Sequence, residues 1–326
     1  MKIRLLSQED VRRALAMSRV IELMENAFSA LSSGEIESPV RTNVNNDTGT
    51  LLYKPVLWRS QGTFGIKAVS VFPRNTSRQL PVTTGLMLLN NGETGLPMAL
   101  MDAQYLTAIR TGAATGLATR LLANQDVTQA ALFGTGGQAA MQLEALLCVI
   151  PLERVSVFAR DPSKARVFCE RHQGQFNGNC QLVPTQDTNA LKDCGVIVAA
   201  TTSRSPLFHD EHISSGTHIN GIGSFTRDAA EVPAETVARA DVFVDQRAAA
   251  LAEAGDLVIP LERGMLPSDF QPAELGEVLL KQRPGRTSTD KITFFKSVGN
   301  AAQDIICAID VLRTAEREGW GREVEI

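Results

Sequence analysis

The sequence predicts an α/β protein: a doubly wound parallel sheet joined to an α+β domain. Three observations carry this. From Gln129 onward, short apolar runs of strand length alternate with helical stretches, as in a parallel sheet with crossover connections. Between Pro39 and Met101, β-like runs follow one another with turn residues between them and no helix. A chain of 326 residues is also long enough for two domains at roughly 150 residues each.

Taken in order, Ser7 and Asp10 form an S-x-x-D pair ahead of apolar residues at helical spacing (Val11, Leu15, Val20, Leu23, Met24, Phe28), predicting two short helices that end at Gly34. Four runs then read as an antiparallel sheet: Thr50 to Val56, Thr63 to Phe72, Val82 to Leu89 and Leu96 to Met101, with Asn90-Asn91-Gly92 and Thr94-Gly95 turning the last pair. Gln104 to Ala123, rich in Ala, Thr and Gly, is expected to be a long, close-packed helix, and a domain boundary is placed at Asn124. Beyond it come strands at Gln129 to Phe133, Val155 to Ala159, Val196 to Ala200, His218 to Ile222 and Val242 to Val244. The stretch from Asn300 to Arg317 carries Ile305, Ile306, Ile309 and Leu312 on one helical face and is assigned to the first domain. The expected domains are therefore 1–123 plus 300–326, and 124–299.

Composition narrows the partner. Apolar residues make up 44% and charged residues 21%, far from the disordered range, and 32 Lys plus Arg against 36 Asp plus Glu leave a net charge of −4 with no basic block. Neither nucleic acid nor a membrane is suggested; a small molecule is. The 5 cysteines are widely spaced with no Cys-x-x-Cys pair, and the N-terminus lacks a long apolar core, so a reducing, cytoplasmic setting is expected. His209 and His212 lack a third ligand at a metal-site spacing, and no metal is expected.

The sharpest motif is Gly134-Thr135-Gly136-Gly137-Gln138-Ala139, a G-x-G-x-x-A loop directly after an apolar strand and opening a helix. That context is the Rossmann dinucleotide fingerprint. Gly134 permits the turn, Gly136 admits the pyrophosphate, Ala139 allows close packing, and the helix N-terminus faces the phosphates. A NAD site wants an acid at the end of the second strand; here Ala159 and then Arg160 stand there, which favours the 2′-phosphate of NADPH, with NAD as the alternative. Asp161 is either a ribose ligand or the N-cap of the helix opened by Pro162.

Several cations interrupt apolar patterns. Lys67 lies within an apolar strand, Arg110 within a helix of small residues, and Arg41 within Pro39-Val40-Arg41-Thr42. Each is either a solvated cation or a group aimed into a cleft, where Arg would hold a substrate carboxylate bidentately and Lys67 would add charge or a proton. Asp228, in a loop after the His218 strand, is either a proton donor or a helix cap.

These stretches resemble the ornithine cyclodeaminase and mu-crystallin family over nearly the whole chain: Gly65-Ile66-Lys67-Ala68-Val69-Ser70, Ala108-Ile109-Arg110-Thr111-Gly112-Ala113-Ala114-Thr115-Gly116, the glycine loop, Ala252-Glu253-Ala254-Gly255-Asp256 and Phe295-Lys296-Ser297-Val298-Gly299. The resemblance implies a Rossmann domain, a second α+β domain that binds substrate and forms a homodimer, and an NAD(P)-dependent reaction on a small α-amino or α-imino acid. By position, Arg41, Lys67 and Arg110 would hold the carboxylate, Thr84 would line the same pocket, and Ser297, Val298 and Gly299 would lie near the nicotinamide. Phe225 stands where cyclodeaminases carry a catalytic Asp, and Ala159 where they carry a ribose-binding Asp. Both departures point to the cyclic-imine reductase branch, with Lys67 and Asp228 as catalytic residues. The expected activity is reduction of Δ1-pyrroline-2-carboxylate or Δ1-piperideine-2-carboxylate. Ornithine cyclodeaminase, an alanine-type dehydrogenase and a crystallin-type NADPH-dependent binding protein are the alternatives.

Overall fold

The computed structural model describes residues 1–176 and 179–325. In chain order, the first part comprises β1 (Lys2–Leu6), α1 (Gln8–Ala14), α2 (Met17–Ser32), β2 (Ile36–Glu37), β3 (Thr42–Asn45), β4 (Thr50–Trp58), β5 (Thr63–Val71), β6 (Thr83–Asn91), β7 (Pro97–Asp102) and α3 (Gln104–Leu122). There follow β8 (Gln129–Phe133), α4 (Ala139–Val149), β9 (Arg154–Phe158), α5 (Pro162–His172), β10 (Gln181–Pro184), β11 (Val196–Ala199), β12 (His218–Gly221), α6 (Ala234–Arg239) and β13 (Asp241–Val244). The chain closes with α7 (Arg247–Glu253), α8 (Gly255–Glu262), β14 (Ala273–Glu274), α9 (Leu275–Leu279), β15 (Thr293–Lys296), α10 (Ala301–Glu318) and β16 (Arg322–Glu325).

Two compact units result: Met1–Arg110 with Asn300–Ile326, and Thr111–Gly299. The division falls inside α3, not at Asn124: Thr107 and Arg110 in its first turns engage Lys67 and Asp304, whereas Gly112 lies against Met141 and Thr119 accepts from Asn220.

In the first unit the sheet order is β16-β1-β7-β6-β5-β4-β2, with β3 pairing β4. The β4 to β7 segment is the expected antiparallel meander. Asn91 makes its last turn, its side-chain oxygen accepting from the backbone N–H of Glu93 (3.0 Å) and Thr94 (2.9 Å). Period-two alternation sends Thr63, Gly65, Lys67 and Val69 of β5 to the inner face and Phe64 and Ile66 outward. Helix α1 starts on the capping box that Ser7 and Asp10 predict. Strand β1 escaped the sequence reading, since its two buried residues, Ile3 and Leu6, are not spaced in the period-two pattern that marks a strand.

In the second unit every neighbouring pair is parallel, in the order β10-β9-β8-β11-β12-β15-β13-β14. Wholly buried strands feed two cores, one on each face. Leu132, Val155, Val157 and Val198 point to one, and Phe133, Ile197, Ile219 and Phe294 to the other. The carboxyl ends of β8, β11 and β12 are adjacent in register, Phe133 facing Ala199 and Ala199 facing Gly221. No helix among the described residues is long and apolar enough to cross a membrane.

Candidate active site

In the first unit the inner face of the sheet carries a buried ionic cluster. Lys67 is 1% exposed, which settles its strand position in favour of an inward cation. Its ammonium lies 2.6 Å from Asp304 Oδ1 and donates to Thr107 Oγ1 at 3.1 Å. Arg110 reaches the same carboxylate oxygen from α3, Nε to Oδ1 being 3.0 Å, and its Nη1 donates to Gln303 Oε1 at 2.6 Å. Helix α10 therefore presents Gln303 and Asp304 to two cations from distant parts of the chain. It starts on the Asn300 side chain, which accepts from the Gln303 N–H.

Lys54 belongs to the same cluster and was not singled out in the sequence. It sits directly opposite Lys67 in the β4–β5 register and is likewise buried. Burial, and then the charges of Lys67, Arg110 and Arg41, push its ammonium well below the ordinary lysine range. Burial likewise brings Lys67 down to about 8, with Asp304 opposing and Arg110 adding to the shift. Burial alone would raise the Asp304 carboxyl; Lys67, Arg110 and Lys54 more than reverse this and hold it below its usual range. Cations from three positions, Lys54, Lys67 and Arg110, act on this one carboxylate, and Arg41 adds positive charge near the two lysines.

Thr84 does not join this cluster. Strand alternation puts it on the opposite, outer face of β6, where its hydroxyl pairs with that of Ser70 at 2.7 Å, so the expectation that it lines the Lys67 pocket is corrected.

In the second unit Gly134 ends β8 with φ at +105°, and a Cβ there would lie 2.4 Å from the Ala200 carbonyl oxygen. Only glycine fits. At Gly136 and Gly137, by contrast, a Cβ would meet no protein atom within 4 Å and neither φ is left-handed. The fold itself does not demand glycine at these two positions, which leaves the loop open to close approach from outside the protein. Thr135 and Gln138 complete the loop, and Ala139 opens α4 fully buried. Beyond β9, Arg160 is exposed, while Asp161 is engaged as the N-cap of α5, Oδ1 accepting from Ser163 N (3.0 Å) and Oγ (2.7 Å). Ser297 Oγ, Val298 N and Gly299 N all donate to Asp245 Oδ2, at 2.8, 3.1 and 2.6 Å. Asp228 is exposed, pairs with Arg204, and accepts from Thr226 at 2.8 Å. The Thr226 hydrogen bond and Arg204 hold its carboxyl below the usual range, which disfavours it as a proton donor.

A model of the ornithine cyclodeaminase/mu-crystallin family matches residues 1–318. The chain belongs to this family. It is 34% identical over 323 residues to the Δ1-pyrroline-2-carboxylate reductase of Bacillus cereus, covering 98% of this chain and 99% of that protein. Among solved family structures, the Thermococcus litoralis Δ1-pyrroline-2-carboxylate reductase in complex with NADH and L-proline is 36% identical with a TM-score of 0.94, covering 99% of this chain and 100% of that one. An archaeal alanine dehydrogenase dimer with bound NAD is 32% identical, also at TM-score 0.94, covering 100% of both chains. Pyrroline-2-carboxylate reductases, the branch that Phe225 and Ala159 indicate, are among the relatives these comparisons bring up, and a Rossmann unit and an α+β unit are both present as expected of the family.

Proposed function

We propose that this protein is an NAD(P)H-dependent reductase of a cyclic ketimine carboxylate, Δ1-pyrroline-2-carboxylate or Δ1-piperideine-2-carboxylate. The observation that carries this is the buried cluster of Lys54, Lys67 and Arg110 around Asp304, in a chain that also bears a dinucleotide loop. Reduction of a ketimine adds a hydride to the carbon beside the carboxylate and a proton to the nitrogen. The nicotinamide dinucleotide, held by Gly134 to Ala139, Arg160 and the Ser297 to Gly299 turn, supplies the hydride. Arg110 and Arg41 clamp the carboxylate, with the Arg110 fork fixed beforehand by Gln303 and Asp304, so orientation is set before the substrate arrives. The Lys67 Nζ, poised near neutrality, carries the proton in preference to Asp228.

Consumption of NADPH or NADH on adding either imine, followed by nicotinamide absorbance, tests the assignment; no turnover with both would overturn it. The likeness to alanine dehydrogenases favours a second reading, reversible oxidative deamination of a small amino acid, which predicts dinucleotide reduction with alanine and, in the reverse reductive amination, dinucleotide oxidation with pyruvate and ammonia.

Two further results are expected. First, kcat/KM for the imine falls as pH rises above about 8, because the Lys67 ammonium that supplies the proton is lost there. Lys67→Arg, which keeps the charge but cannot give up a proton, should lower kcat/KM at every pH, whereas Asp228→Asn should leave both rate and limb in place; the reverse pattern would assign the proton to Asp228. Second, with Asp161 engaged as a cap, the exposed Arg160 is the group left to read a 2′-phosphate. A charge-assisted contact of about 1.5–3 kcal/mol gives NADPH a roughly ten- to hundredfold advantage, which Arg160→Ala removes. Equal weakening for NADH and NADPH would show that Arg160 reads no phosphate.

A homodimer fits the first unit. Val44, Leu51, Phe64, Ile66 and Leu86 lie exposed on the outer face of its sheet, and a second copy would cover them. Sedimentation of the intact protein as a monomer at micromolar concentration would exclude this.

A further inference from the structure

We propose that Glu231 is a positioning residue for the dinucleotide, a buried carboxylate that fastens the loops after β11 and β12 to each other and to the first turn of the glycine loop. The proposal rests on the reading of that loop as the dinucleotide site.

Glu231 is fully buried and uses both carboxylate oxygens, one on each loop. Oε1 accepts from Thr201 N and Thr201 Oγ1, each at 2.7 Å. Oε2 accepts from Gly223 N at 2.7 Å and Ser224 N at 2.8 Å. Thr201 is in turn hemmed in on two sides. A Cβ on Gly134 would lie 3.3 Å from the Thr201 methyl, and one on Gly223 only 2.0 Å from the Thr201 carbonyl oxygen. The loops leaving three adjacent parallel strands are therefore packed into one ledge, with the Glu231 carboxylate as its common fastener. Ligands of such sheets bind outside the carboxyl ends of the strands, where this ledge lies.

The backbone of Glu231 is itself fixed. Its N–H and that of Val232 donate to Asp256 Oδ1 at 2.7 and 2.9 Å, and Asp256 Oδ2 pairs with Lys296 at 2.8 Å with both side chains fully buried. Burial pushes the Glu231 carboxyl up, with Lys296 opposing. Burying two carboxylates and an ammonium is a costly way to close loops that apolar packing could close as well. What the carboxylate adds is a rigid geometry for four donors at once.

Titration calorimetry of the full chain with NADH and with NADPH provides the test. Glu231→Gln keeps the size but has one acceptor and one amide NH2, so it can serve one loop while opposing N–H groups on the other. Its dinucleotide Kd should rise at least about tenfold, while the imine KM at saturating dinucleotide stays within about twofold. An unchanged Kd overturns the proposal, even if the melting temperature falls, since a purely structural role would lower stability alone. Should Glu231→Gln not fold, Thr201→Val and Thr201→Ser decide: the valine variant should bind dinucleotide several-fold more weakly and the serine variant like the parent, and equal affinities overturn the proposal. A parent protein that binds neither dinucleotide would instead refute the reading of the glycine loop, and the proposal with it.

Discussion

Replacing Asp304 by Asn is expected to destabilise the protein by about 3–5 kcal/mol, the range for removing one partner from a buried ion pair. Lys67 and Arg110 both lie on Asp304 Oδ1, and Lys54 and Arg41 add positive charge nearby. An amide there leaves these cations facing one another in a medium of low polarity. The effect has a pH signature. Asp304 is what opposes burial at Lys67, so in the variant the folded ammonium gives up its proton at lower pH, while the unfolded lysine keeps its ordinary value. The unfolded chain then binds more protons over a wide range, and stability rises with pH through that range. Urea unfolding at several pH values measures this. A loss under about 1 kcal/mol that is constant with pH would show that the cluster is effectively hydrated.

Arg110→Lys is expected to lower kcat/KM for imine reduction by at least about tenfold, because charge is retained but the planar fork is lost. The guanidinium spans Asp304 and Gln303 with separate nitrogens, and a single ammonium on a shorter, flexible stem cannot keep both contacts while meeting a carboxylate. Dinucleotide affinity should hold. The comparison of three readouts is decisive: unchanged turnover would make Arg110 a bystander, and a matched loss of turnover, dinucleotide affinity and melting temperature would make it a prop of the fold.

Much of this architecture was legible beforehand, for identifiable reasons. Strand β8 and the turn at Gly134 announced themselves because a fully apolar pentapeptide followed by a G-x-G-x-x-A loop has few other uses. The Ser7–Asp10 capping box was likewise local. Long-range partners were not. Nothing in the sequence near Lys67 or Arg110 names Asp304, which lies in the first turn of α10, where an acidic residue is ordinary because of the helix dipole. Lys54 was hidden by its surroundings: Tyr53-Lys54-Pro55 reads as a strand with polar interruptions, and only the register with β5 shows that Lys54 shares the inner face with Lys67. Thr84 was misplaced because a resemblance transfers position along the chain but not the face of a strand. Strand β15 was read only as a motif, since four residues followed by Ser-Val-Gly give little periodicity. Nothing in the stretches around Glu231 and Asp256 marks either acid as buried. Asp256 pairs with Lys296 and Glu231 with the backbone of Thr201, Gly223 and Ser224, associations that no local pattern reveals.

The open space around Gly136 and Gly137 carries a consequence for how this protein can change. An adjacent pair of glycines gives the unfolded chain extra freedom, and alanine at a position with compatible backbone angles commonly stabilises a protein by about 0.4–1 kcal/mol. At Gly136 the fold offers no steric objection to a methyl group. The loop is thus a place where stability and ligand recognition pull in opposite directions, and where drift toward a hardier but catalytically silent descendant meets the least resistance. Gly136→Ala should melt no lower than the parent in the absence of dinucleotide, yet gain less from its addition. A variant that melts lower without ligand would show that the fold, and not recognition, keeps the glycine.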